Sequence, residues 1–161
     1  YVKGIRKNIQ NDTPIIGKYG VRNEGSGDMY YKAANMLHTI RTVINDDEKF
    51  RQILRGLGKD FYHQTVTTKQ IEDYISQKSG INFSKVFDQY LRTTQIPVLE
   101  YSQNGNLLKY HWKNTIEGFD MPIRIDNSLS ITPTQEWKTL ELNSDKELKF
   151  NDNYYIKFEK N

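Results

Sequence analysis

Apolar residues recur at helical spacing from Asp28 to Leu91 and at strand-like spacing after it. Met29, Ala33, Met36, Leu37, Ile40 and Ile44 follow at intervals of three and four, which predicts one buried stripe on a first long helix. Asp28 stands where its N-cap belongs. In the NDDE that follows, Asn45 can cap and Glu48 can reach back, opening a second helix lined by Phe50, Ile53, Leu54, Leu57 and Phe61. Thr67 and Gln70 repeat that arrangement before Ile71, Tyr74 and Ile75, and Gly80 supplies a C-terminal stop. Phe83, Val86, Phe87, Tyr90 and Leu91 predict a short last helix.

Two further stretches flank this series. YVKGIRKNI has a helical pattern at Val2, Ile5 and Ile9 with nothing before Tyr1 to cap it, so the chain reads as starting inside a helix and as a fragment of something larger. Residues 10–27 hold four glycines and one proline with little periodicity. Loops longer than about 12–15 residues are often functional.

From Pro97 onward the period shortens. PVLEYSQNGNLLKYHW carries strand-like runs around Asn104-Gly105, a strong hairpin signal. MPIRI (121–125), SLSIT (128–132), WKTLEL (137–142), ELKF (147–150) and YYIKFE (154–159) follow between turn residues. The expected fold class is α+β: a helical unit over 1–95 and a small antiparallel β-sandwich over 96–161, with the boundary near Thr94–Pro97.

Composition narrows the function classes. With 161 residues, 36% hydrophobic and 27% charged, the chain has the make-up of a folded globular protein. No apolar run approaches the roughly 20 residues of a membrane-spanning helix. Residues 1–95 hold 15 basic and 10 acidic side chains, and the rest 8 and 10, all interspersed, so nucleic acid is not an expected partner. The absence of cysteine excludes disulfides and thiol chemistry and does not fix the compartment; a periplasmic or secreted location is preferred to a cytoplasmic one.

His38, His63 and His111 are far apart and belong to no local metal-ligand spacing. His38 reads as a packing or edge residue, His63 as a charge closing the second helix, and His111, beside Trp112, as part of a half-exposed strand face. No P-loop, nucleophile elbow or dinucleotide fingerprint is present. What remains is the tyrosine pair in GSGDMYYKAANMLHTIR, set at the mouth of a helix after a mobile-looking loop.

That segment resembles a known family. MYYKAANMLHTIRTVINDDEKFRQIL is similar to the part of zinc aminopeptidases of the aminopeptidase N type, the gluzincins, that usually reads Y-E-K-G-A and opens a helix. The likeness continues through DDEKFRQILRGLGKDFYHQTVTTKQIEDYISQKSG, where the family has a helix, a T-T and an acidic helix. It extends into VFDQYLRTTQIPVLEY, matching F-x-x-W/Y-L, a short linker and P-V-L. The ordered series covers residues 28–101. Tyr31 replaces the usual Glu and Ala33 the usual Gly.

The resemblance implies a thermolysin-like catalytic domain ending near residue 95 and a β-sandwich after it. It implies that Tyr30 is catalytic, the phenol that helps stabilise the tetrahedral intermediate. A phenol with a reference pKa of about 10 is protonated at neutral pH and can donate to an oxyanion. Tyr31 and Lys32 are expected to be structural. In the family the H-E-x-x-H pair and a downstream Glu bind zinc ahead of this tyrosine, and neither lies in this sequence. The implied parent takes N-terminal residues off peptides using zinc. This chain is expected to hold no metal or cofactor, to be inactive alone, and to need the remainder of its own catalytic domain as a partner. The alternative is a non-catalytic helical plus β-sandwich module that binds proteins. A peptide- or carbohydrate-binding sandwich rests only on Trp112, Trp137 and the tyrosines, which core packing also explains.

Overall fold

A computed structural model describes residues 1–18, 20–22, 25–125 and 129–161. The chain opens with a 3-10 helix, Lys3–Asn8, rather than an α-helix, then runs through the loop to four α-helices. These are α1 (Asp28–Ile44), α2 (Asp47–Asp60), α3 (Thr68–Ser79) and α4 (Ser84–Arg92). Strands β1 (Val98–Asn104), β2 (Leu107–Lys113), β3 (Ile123–Arg124), β4 (Ser130–Ile131), β5 (Lys138–Glu141) and β6 (Lys157–Lys160) follow.

The third helix starts and stops where its sequence signals lie. Thr67 and Gln70 form a reciprocal capping box, and Gly80 ends the helix in the left-handed conformation at φ 78°. Its neighbour departs by one residue. Asp46, not Asn45, caps α2 by accepting from the Lys49 amide, while Asn45 is left-handed at φ 52° and terminates α1. Asparagine suits either role, and the competing aspartate takes the cap. Gly56, in the middle of α2, lets α3 approach: a methyl there would collide with the Tyr74 hydroxyl, which donates to Asp60 at 2.8 Å.

The β region is mixed rather than all antiparallel. β1 and β2 form the expected hairpin, with Gly105 and Asn106 as its loop and Leu99 opposite Trp112. Gly105 takes a positive φ of 59°, the requirement of a II′ turn at its first central residue. β5 adds antiparallel to β2, but β6 adds parallel to β1, giving the order β5-β2-β1-β6. β3 and β4 make a separate two-stranded ladder. The region holds one four-stranded mixed sheet and a small antiparallel ladder. Residues 147–150 form no strand. Of the predicted run 128–132, Ser128 lies outside the described residues and Ser130–Ile131 pair.

Along β2, Leu108, Tyr110 and Trp112 turn inward, while Lys109 and Lys113 point to solvent. The inward residues join Met36, Ile40, Phe83, Phe87 and Tyr90 of the helices in one buried cluster. Gln89 of α4 stitches helix to sheet region. Its fully buried amide donates to the Gln95 and Asn114 carbonyls at 2.9 and 3.3 Å and accepts from the Ile116 amide at 2.8 Å. Both ends of the Gln89 amide are thereby satisfied.

Candidate functional site

The first turn of α1 is built on hydrogen bonds more than on apolar contact. Gly27 occupies the N-cap position without a side-chain cap. Asp28 is the first helical residue and does not cap its own helix; its carboxylate accepts from the amides of Gln10 at 2.9 Å and Asn11 at 2.7 Å. An aspartate suits the positive end of a helix, and here it also gathers two loop donors. Ser26 closes the other end of the loop. Its hydroxyl donates to Asp12 at 3.1 Å and accepts from the Asp28 amide at 3.2 Å. The Thr13 amide and the Ser26 hydroxyl hold the Asp12 carboxyl below its ordinary range. Residues 10–12 and 26–28 are thus fastened together at the helix start; Tyr19, Asn23 and Glu24 of the same loop lie outside the described residues.

Lys32, one turn on, is 0% exposed, and its ammonium donates to the Thr93 carbonyl at 2.7 Å, just past the end of α4. Burial lowers its pKa, with the Asp28 carboxylate opposing that shift. Asn35 accepts from Arg6 Nε at 2.7 Å and donates to the Val2 and Tyr31 carbonyls at 3.2 and 2.9 Å. Thr39 donates to the Asn35 carbonyl and accepts from the Tyr155 amide at 2.8 Å. Asp28, Lys32, Asn35 and Thr39 form a second buried stripe on α1, beside the Met36–Ile40 stripe and wholly polar. Its signal was present in the spacing, since these four residues recur at the same three-four interval as a hydrophobic face.

Tyr30 sits opposite this stripe. It is 71% exposed, and its phenol has no hydrogen bond to any described residue. Tyr31 is 37% exposed. The arrangement is an accessible hydroxyl on a helical turn clamped from behind by buried polar groups. Chemically it can donate a hydrogen bond to an anionic oxygen brought to it.

The histidines do not join it. His38 meets Asn153 at 3.1 Å in a polar hollow with Arg41 and Asp47. His63 follows α2 with a left-handed φ of 53° and its ring against Tyr62. On the outer face of the sheet His111 bonds Glu100 at 2.9 Å and packs on Trp137. Among the described residues no three His, Cys, Asp or Glu side chains gather so as to hold a metal ion, so these side chains do not fit a zinc ion. A groove of about 830 Å3 runs between α3 and α4 past Arg92, Glu72 and Asp73, remote in sequence from Tyr30.

No protein-family model and no curated protein sequence matches the chain. Among solved structures, the chain is similar to the crystal structure of Legionella pneumophila aminopeptidase A in complex with aspartic acid, at 20% identity and a TM-score of 0.56. The match covers 97% of this chain and 19% of that one, so the chain spans about a fifth of that aminopeptidase. What the two share is the fold over that segment. No helix among the described residues is long and apolar enough to cross a membrane.

Proposed function

We propose that this chain is the C-terminal part of a zinc-dependent aminopeptidase of the aminopeptidase N type, and that Tyr30 is its catalytic tyrosine. The observation that carries the reading is an exposed phenol, without a partner among the described residues, on the first turn of a firmly held helix, within a fold similar to part of an aminopeptidase. In this reading residues 1–95 complete a thermolysin-like catalytic domain and residues 96–161 are the small β domain behind it. The zinc and the general base belong to preceding parts of the parent protein. Tyr30 contributes a hydrogen bond to the oxyanion formed as water attacks the scissile carbonyl of a peptide's first residue. Such a donor acts where charge develops, which is why it is placed on a fixed element and left open to substrate. Tyr31, with its backbone carbonyl held by Asn35, is a supporting neighbour.

The rest of the catalytic domain is the proposed partner. An opening of about 380 Å3 lined by Met36, Leu37, Val66, Ile71 and Phe87 leaves apolar helix surface for it to cover. A periplasmic or secreted location goes with this reading. The test is the full-length protein. It should carry an H-E-x-x-H with a downstream Glu ahead of Tyr30, bind one zinc, and release aminoacyl anilides in a chelator-sensitive way, whereas the isolated chain should do neither. A full-length protein without that motif and without turnover would instead favour a protein-binding module.

A further inference from the structure

Lysine is among the residues least often fully buried, and a buried ammonium without good partners is costly. If the inner face of α1 needed only to be filled, an apolar side chain would serve as well. Lys32 is nonetheless completely enclosed, and one helical turn before it Asp28 is 2% exposed. The two stand two residues before and two residues after Tyr30. A step of two residues in an α-helix is a rotation of about 200°, so both lie on the face opposite the phenol. Each ties α1 to a different neighbour: Asp28 to the amides of Gln10 and Asn11, Lys32 to the Thr93 carbonyl. That carbonyl lies at the C-terminal end of α4, where helix carbonyls lack intrahelical partners and a cation is favoured. Two charged bonds one turn apart, to separate parts of the chain, fix both the height and the rotation of the turn between them.

We propose that Asp28 and Lys32 are positioning residues for Tyr30, holding the backbone that aims its hydroxyl. The proposal rests on the catalytic reading of Tyr30 given above. Neither side chain touches substrate; both act through the turn they fix. A displacement of about 1 Å of a catalytic group can cost on the order of 100-fold in rate, so loosening either anchor should appear in turnover.

The experiment is a double-mutant cycle in the full-length protein, reading kcat and KM for an aminoacyl anilide. Lys32→Met, which keeps the volume and removes the donor, should lower kcat about 10- to 100-fold with a much smaller change in KM. Lys32→Arg, which keeps a donor for the Thr93 carbonyl, should recover part of the loss. In a Tyr30→Phe background the same Lys32→Met change should lower kcat less than about threefold, because the group being aimed is gone. Equal losses in both backgrounds, or no loss with Tyr30 present, would overturn the proposal. Should Lys32→Met not fold, Asp28→Asn is read through the same cycle and judged by the same two outcomes. If Tyr30→Phe alone keeps the parental kcat, the catalytic reading fails first, visibly and before Lys32 is touched, and the positioning role falls with it.

Discussion

Tyrosines at the junction of α4 with the C-terminal segment and tyrosines on the first turn of α1 are treated in opposite ways. At the junction Tyr90 is 0% exposed and donates to the Tyr155 carbonyl at 2.6 Å. Tyr154 accepts from the Arg124 amide at 3.0 Å, and Tyr155 accepts from Asn11 at 3.1 Å. Tyr90 and Tyr154 are buried, Tyr155 is half-buried, and each phenol oxygen has a partner, as packing requires. Tyr30 is exposed and its phenol has no partner among the described residues, although the backbone beneath it is held by the side-chain bonds of Asp28 and Lys32. A side chain that contributes little to the fold, on a turn the fold holds firmly, is what the proposed role of Tyr30 requires.

Stability measurements on the isolated chain can break this contrast. The largest effect should come from Tyr90→Ala, which empties a fully buried ring site and should cost about 3–5 kcal/mol in urea unfolding. If it costs no more than an exposed substitution, the junction is not a packed region. Asp28→Ala comes next, leaving the Gln10 and Asn11 amides without their acceptor, at about 1–3 kcal/mol. Hydrogen exchange at those two amides should accelerate in the same variant, and unchanged protection there would refute the anchoring.

Removing single oxygens sharpens the comparison further. Tyr90→Phe strands the Tyr155 carbonyl and should cost about 1–2 kcal/mol, whereas Tyr30→Phe should stay within about 0.5 kcal/mol of the parent. The smallest effect is read in pH. Burial raises the pKa of Tyr90, Tyr154 and Tyr155 above the phenol reference, so the folded state keeps protons that the unfolded chain releases. Their contribution is therefore fully present below about pH 10 and lost as pH rises beyond it. Tyr90→Phe should flatten that alkaline decline; a slope identical to the parent's would contradict the assignment.

Local signals carried most of the architecture, and the misses share a cause. The Thr67–Gln70 box, the Gly80 stop and the 104–107 hairpin are set by residues within a few positions of each other, and each stands where its pattern puts it. The parallel pairing of β6 with β1 joins residues some sixty positions apart, as in Leu99 with Phe158, and no local pattern reports it. Asp28 looked like a cap because its type and place fit one; the loop amides it accepts from come from 17 and 18 residues earlier. The polar stripe of α1 keeps the spacing of a helix face, but no local pattern reports its partners: Thr93 and Arg6 reach Lys32 and Asn35 from 61 and 29 positions away. At the candidate site, the order of segments singled out Tyr30, while the bonds of Asp28 and Lys32 on either side of it became visible only in three dimensions.

The most direct measurement is the turnover of Tyr30→Phe beside Tyr31→Phe in the full-length protein, on one aminoacyl substrate. Each change removes one oxygen and almost no packing area. The account predicts that Tyr30→Phe lowers kcat by about 10²–10³, the usual cost of losing one oxyanion donor, with little rise in KM, while Tyr31→Phe stays close to the parent. Equal losses in the two variants, or a Tyr30→Phe enzyme with near-parental kcat, would contradict it.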